Sequence, residues 1–220
     1  MSQDRPTTQS EPAPRTSDIG RTAGYLTVME IDARQPRRAV IVVDMLVGFC
    51  RRGNLYSPRY EPVVSRLQAR LAEAEARGES VVFLADSHLP DDPEFAMFPS
   101  HCVEGSGEDE VVPELRGFAD RGTTVTKRTF SGFHETRLDE VLRRLAPDVV
   151  EVAGVCTDIC VLHTVAGLRA RGYEVVVRRD LVETYDAPGH DAAEFNRFAL
   201  AHMRDVLGDA ILPKIVPLNA

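Results

Sequence analysis

The sequence predicts an α/β fold: three α/β/α layers around a central, mostly parallel six-stranded sheet. Three observations lead there. Short β-branched apolar runs recur along the chain, each long enough for a strand covered on both faces and too short for a buried helix. Segments with helical spacing separate them, and repeated strand–helix units call for parallel strands with helices on both faces. The 220 residues, 43% of them hydrophobic, suffice for one domain with a sizeable core.

Residues 1–20 are rich in Ser, Thr, Pro, Gln and charge, offer almost nothing to bury, and are expected to form a disordered tail. Residues 21–37 form an ambiguous lead-in in which Tyr25–Met29 is a candidate edge strand. Residues 38–220 are expected to form a single domain. Ala39–Val43 is its first buried strand. Pro58–Arg77 carries Val63, Leu67 and Leu71 at helical spacing and ends at Gly78. Val81–Ala85 is the second strand. An irregular segment from Asp86 to about Glu110 follows, and loops of that length inside a compact domain are usually functional. Thr123–Lys127 reads as a strand, Leu138–Leu145 as a short helix and Val149–Val155 as the fourth strand. That run breaks at Gly154 and turns helical at Thr157 and Asp158, giving a helix through Cys160 that runs to Arg171 and ends at Gly172. Tyr173–Val177 is a fifth strand, Ala192–Leu207 a helix and Ile211–Val216 a sixth strand.

Composition excludes several function classes. A net charge of -8 argues against non-specific nucleic-acid binding. No apolar run reaches membrane-spanning length and the N-terminus lacks a basic-then-apolar signal pattern, so a cytoplasmic location is expected. Four cysteines without disulfide-rich spacing fit a reducing compartment, with Cys50 and Cys102 read as structural or pocket-lining thiols.

In parallel sheets the site lies at the carboxyl ends of the strands. Asp44, Asp86 and Lys127 end the first three strands, and Cys160 follows the fourth. Asp44 and Lys127 alone would read as a plain ion pair; four such residues on one rim suggest a site. A cysteine in the first turn of a helix meets backbone N–H groups and the positive end of the macrodipole, both of which favour a thiolate. Lys127 would lower the thiol pKa further, and Asp44 could take the thiol proton and pass it to a leaving amine. The N–H groups of Cys156 and Cys160 could cradle an oxyanion. The chemistry this describes is acyl transfer from an amide through a thioester. A second set surrounds the segment after the second strand. Asp86 and His88, two apart on extended chain, share a side, and His101, with Glu94 as a candidate further ligand, can close a coordination sphere from the loop. Two histidines with carboxylates suit Zn²⁺, Mn²⁺ or Fe²⁺ rather than Ca²⁺. The competing reading is that both histidines only hydrogen-bond within a polar loop. His134 and His163 read as loop or helix residues, and His190 and His202 are assigned no role.

These residues resemble the nicotinamidase/pyrazinamidase branch of the isochorismatase-like cysteine hydrolases. The resemblance runs from about Ala39 to Met203. It rests on Val42-Val43-Asp44-Met45 with Phe49, on Asp86-Ser87-His88, and on Phe98-Pro99-Ser100-His101-Cys102-Val103-Glu104-Gly105. It continues through Lys127-Arg128-Thr129-Phe130-Ser131-Gly132-Phe133, and is most specific in Gly154-Val155-Cys156-Thr157-Asp158-Ile159-Cys160-Val161-Leu162-His163-Thr164. The resemblance implies the isochorismatase-like hydrolase fold, a Cys160–Asp44–Lys127 triad, and one divalent metal, Zn²⁺ first and Mn²⁺ or Fe²⁺ next, on Asp86, His88 and His101, with Glu94 as a candidate extra ligand. It further implies a cis peptide joining Val155 to Cys156, Phe49, Phe98 and Phe130 around a flat ring, and a homo-oligomer, dimer or tetramer. The implied reaction is hydrolysis of nicotinamide to nicotinate and ammonia, with the metal orienting the pyridine nitrogen. Three alternatives stay open: a sister activity on pyrazinamide, maleamate or a carbamoylated amine; a non-catalytic binding or redox protein using Cys156 and Cys160; and a zinc hydrolase in which Cys160 is incidental. The polar N-terminal extension departs from the pattern, and no role is assigned to it.

Overall fold

Apolar alternation builds the sheet. In β1 (Arg38–Val43), Val40 and Val42 enter one hydrophobic cluster while Ile41 and Val43 enter another, and all four are buried. Both faces of the strand must therefore be covered. The structure is a computed structural model that describes residues 35–212. The expected tail, the candidate strand Tyr25–Met29 and the end of the sixth strand beyond residue 212 lie outside the described residues.

β2 (Ser80–Asp86), β3 (Thr123–Lys127), β4 (Val149–Val155), β5 (Glu174–Glu183) and β6 (Ala210–Leu212) join β1 in a six-stranded sheet of order β3-β2-β1-β4-β5-β6. Every neighbouring pair is parallel. The face holding Val40 and Val42 is covered by α1 (Val47–Cys50), α2 (Glu61–Ala76) and α3 (Pro113–Arg121). The face holding Ile41 and Val43 is covered by α4 (Leu138–Leu145), α5 (Leu162–Ala170) and α6 (Ala192–Asp205). The expected three layers are present.

Several boundaries differ from the sequence reading, each for a local reason. α1 is a single turn, too short for a period, and α3 fully buries only Leu115, so neither carries a legible apolar stripe. The helix expected from Pro58 opens as a 3₁₀ turn, Pro58–Tyr60, capped by the Ser57 hydroxyl accepting from the Arg59 N–H. The helix through Cys160 opens as a π-helical turn, Thr157–Val161, before α5. β5 continues past Val177 through Arg178-Arg179-Asp180, whose charge reads as a strand end.

Two features hold β4 in place. Gly154 has φ +115°, and a Cβ there would lie 2.0 Å from the Val43 carbonyl oxygen, so only glycine lets the end of β4 pass this close to β1. Lower down, the buried carboxylate of Glu151 accepts from Arg70 Nη2 at 2.9 Å and from Arg178 Nε at 2.9 Å. Arg70, which is 1% exposed, also donates to Glu79. Removing one member of a buried charge network leaves the others uncompensated. Glu151→Ala is expected to cost about 3–5 kcal/mol, read as a lowered urea midpoint with an unchanged slope.

Candidate active site at the carboxyl edge of the sheet

The strand order reverses between β1 and β4, and in open parallel sheets a crevice forms outside the carboxyl ends at that point. Asp44 follows β1 in the left-handed region, φ +51°, a conformation aspartate tolerates better than most residues. Its N–H donates to the Leu84 carbonyl at 3.0 Å, and its Oδ1 accepts from the Asp86 N–H at 3.1 Å. Asp86 and Lys127 end neighbouring strands in register. Lys127 Nζ therefore lies 2.5 Å from Asp86 Oδ1 and 2.8 Å from Asp44 Oδ2, and donates to the Thr129 carbonyl at 3.1 Å. The contact to Asp44 is close but poorly aligned, so Asp44 Oδ2 keeps an unmade hydrogen bond. Cys160 Sγ comes within 4.8 Å of carboxylate oxygens of both Asp44 and Asp86.

Electrostatics follow from this burial. Burial first, then the charge of Asp86, push Asp44 up to about 6 against the pull of Lys127. Burial would raise Asp86 too, but Lys127, His101 and His88 together hold it below the usual carboxylate range. Lys127 would be lowered by burial, yet its two carboxylates lift it well above the ordinary lysine value. Burial, supported by Asp44 and Asp86 and opposed by Lys127, pushes the Cys160 thiol well above its ordinary value. Lys127 and the helix start were expected to lower this thiol, but burial, the largest effect, pushes it the other way. Cys160 can ionise only by handing its proton on, and Asp44 is the group within reach.

The second set converges on the same carboxylate. His101 Nδ1 lies 2.8 Å from the Pro99 carbonyl, which only accepts, so Nδ1 carries the proton and Nε2 is left as a lone pair. That Nε2 is 3.7 Å from Asp86 Oδ2, and His88 Nε2 is 3.7 Å from Asp86 Oδ1. Neither ring nitrogen of His88 makes a hydrogen bond although the residue is wholly buried. A buried nitrogen without a partner is costly, and a cation among Asp86, His88 and His101 would satisfy it. The three ligand atoms lie within 4.8 Å of one another, a spread and chemistry that fit Zn²⁺, Mn²⁺ or Fe²⁺. His88 Nδ1 also faces Asp92 Oδ2 at 3.3 Å, the outer carboxylate that commonly orients a metal-binding histidine. Glu94 is buried nearby and is raised by burial and by Asp86, but it stands outside this compact trio.

A cavity of about 580 Å³ opens onto both sets, lined by Phe49, Phe98, Asp86, Glu94, His101, Cys156 and Cys160 among others. Phe130 is not among its lining residues. It packs on His163, ring centroids 4.5 Å apart, and lines an adjoining cleft with Glu94 and Met97. The Lys127–Thr129 hydrogen bond curls the chain after the edge strand β3, and the Phe130 ring lands against α5. The peptide joining Val155 to Cys156 is cis. Cys156 pairs its thiol with Tyr60 Oη at 3.2 Å, and burial pushes that thiol up to about 12. Cys50 and Cys102 are buried free thiols off the cavity. Sequence reasoning missed Asp92, whose other oxygen caps the turn at Glu94, because a loop aspartate before proline reads only as a cap. It also missed Tyr60, which looked like one more apolar helix residue.

The metal reading predicts that purified protein carries about one equivalent of divalent metal by elemental analysis, and that His101→Ala or Asp86→Asn lowers affinity by at least about 100-fold.

Residues 38–208 match the isochorismatase domain model. Nicotinamidase 1 of Arabidopsis thaliana is 31% identical over 191 residues, 76% of this chain and 78% of that protein. The crystal structure of a pyrazinamidase/nicotinamidase from Streptococcus mutans superposes with a TM-score of 0.73 at 28% identity, covering 80% of this chain and 99% of that one. That of N-carbamoylsarcosine amidase from Thermoplasma acidophilum gives a TM-score of 0.71 at 30% identity, over 84% of this chain and 99% of that one. By its matched domain and by this shared architecture, the chain belongs to the isochorismatase family.

Proposed function

We propose that this protein is a cysteine amidohydrolase that converts nicotinamide to nicotinate and ammonia. One observation carries the reading: a buried Cys160–Asp44–Lys127 set and the Asp86–His88–His101 trio open onto one aromatic-walled cavity. The relatives named above are themselves nicotinamidases and an amidase, which supports amide carbon–nitrogen hydrolysis over other chemistry. Phe49 and Phe98 supply flat apolar walls for an aromatic ring. A divalent ion held by Asp86, His88 and His101 would supply a Lewis-acid partner for a ring nitrogen, the feature that favours a pyridine carboxamide over a benzamide.

The chain's own residues then account for the chemistry. Asp44 accepts the Cys160 proton as Sγ attacks the carboxamide carbon, and the carbonyl π pair moves to oxygen. The N–H groups of Cys156 and Cys160 receive the oxyanion. As the carbonyl re-forms, the carbon–nitrogen bond breaks, and Asp44 returns the proton to the departing nitrogen, releasing ammonia and a thioester. Asp44 next takes a proton from water, whose oxygen attacks the thioester. Collapse expels the Cys160 sulfur, which recovers its proton, and nicotinate leaves. Lys127 stays charged throughout and keeps the two carboxylates apart in role: Asp86 ionised, Asp44 near its titration point. We infer a homo-oligomeric, cytoplasmic enzyme; among the described residues no helix is long and apolar enough to cross a membrane.

Ammonia release should be rapid from nicotinamide and pyrazinamide, poor from benzamide, and suppressed by a chelator. No release from any of the three would sink the substrate assignment. Cys160→Ala should lower kcat by at least about 10³-fold with metal content unchanged, whereas a zinc hydrolase with an incidental cysteine would keep its activity. Asp44 must be ionised to take the thiol proton, so kcat/KM should fall about tenfold per unit as pH drops below about 6.

A further inference from the structure

We propose that His190 is a positioning residue for this site, pinning one wall of the cavity to the turn that carries the nucleophile. The proposal rests on Cys160 being the nucleophile and not on which amide it attacks. His190 Nε2 lies 2.9 Å from Asp158 Oδ2, and Asp158 sits two residues before Cys160 in the π-helical turn Thr157–Val161. His190 Nδ1 lies 2.8 Å from the carbonyl oxygen of Tyr185, a residue that lines the cavity. The imidazole is sandwiched between two rings, Tyr185 at 4.1 Å and 4° and Phe195 of α6 at 3.8 Å and 23°. One side chain thus ties together the turn after β4, the loop after β5 and α6.

The hydrogen-bond inventory sets the chemistry of this tie. A carbonyl and a carboxylate oxygen only accept, so both ring nitrogens face acceptors and the ring can serve either as a donor. A hydrogen bond to a carboxylate is charge-assisted, and the imidazole gains stacking contact on two aromatic rings. The loop it holds is closed on itself by paired backbone bonds between Ala187 and His190 at 3.0 and 2.9 Å. Asp158 Oδ1 has no hydrogen-bond partner among the described residues, so losing His190 would also take the hydrogen bond from Oδ2 and leave a largely shielded carboxylate poorly satisfied. The turn that carries Cys160 would lose its lateral support. If His190 were merely a core residue, its loss would lower stability without changing the reactivity of the thiol in the molecules that remain folded.

The test reads that thiol directly, without a substrate. Iodoacetamide alkylation of Cys160 is followed by peptide mass spectrometry in the full-length protein at neutral pH, with urea unfolding measured in parallel. His190→Ala and Asp158→Ala are each expected to slow alkylation about tenfold, and the double variant is expected to be no slower than either single one. His190→Gln, which keeps a donor toward Asp158, should recover part of the rate. Folded His190→Ala reacting within about twofold of the wild type, or losses that multiply in the double variant, overturns the proposal. If His190→Ala does not fold, His190→Gln carries the test: slowing by at least about threefold supports the proposal, and a rate within about twofold of the wild type overturns it. Failure of Cys160 to react in the wild type overturns the nucleophile reading as well, whereas slow turnover of nicotinamide with a reactive Cys160 touches only the substrate.

Discussion

Everything at this site depends on one buried ammonium shared by two carboxylates. Lys127 sits at the end of an edge strand, where its four-carbon stem crosses beneath the crevice to reach both Asp86 and Asp44. Two negative charges so close would repel, and burial would drive both to protonate. A single cation between them breaks the symmetry. Asp86, which also faces two imidazoles, stays ionised, while Asp44 is left near 6 and able to exchange a proton with a thiol. The same ammonium pulls the Cys160 thiol down, but burial, with the two carboxylates adding to it, holds the thiol well above its ordinary value. In the proposed reaction the cysteine is accordingly activated by proton transfer rather than standing ionised.

Backbone architecture makes this arrangement possible. In a parallel sheet with register Val43 to Gly154 and Asp86 to Lys127, residues from β1, β2, β3 and the turn after β4 arrive at one level. Gly154 lets β4 close against β1, so the cysteine turn reaches the Asp44 side rather than standing off by the width of a side chain. Further down the same strand, Glu151 and its arginines hold β4 to α2 and β5. Rigid strands below and a tied loop above suit a reaction in which small displacements of the nucleophile are costly.

The two buried sets are distinct but not independent. Asp86 belongs to both, accepting from Lys127 through Oδ1 while each of its oxygens faces a histidine. His101 is oriented by a backbone carbonyl and His88 faces Asp92, so each imidazole is turned by a group on its far side. Cys156, by contrast, pairs its thiol with Tyr60 Oη, and burial pushes that thiol up to about 12.

The sequence by itself determined the layers, the places of the strands though not the far end of β5, and the rim residues, because apolar periodicity and strand ends are local signals. Thr123–Lys127, Leu138–Leu145 and Val149–Val155 are read from it without error for that reason. Asp44, Asp86, Lys127 and Cys160 were legible as candidates for the same cause. What only the tertiary structure decided is how their charges add. The state of Cys160 depends on how many carboxylates and ammoniums share its cavity, and no spacing in the chain reports that number. The placement of Phe130 against His163 was likewise hidden, since it follows from the curl of the chain after β3. His190 was unreadable for the strongest reason: its partners, Asp158, Tyr185 and Phe195, come from three separate segments, and the bonds that give it meaning exist only once the sheet has brought them together.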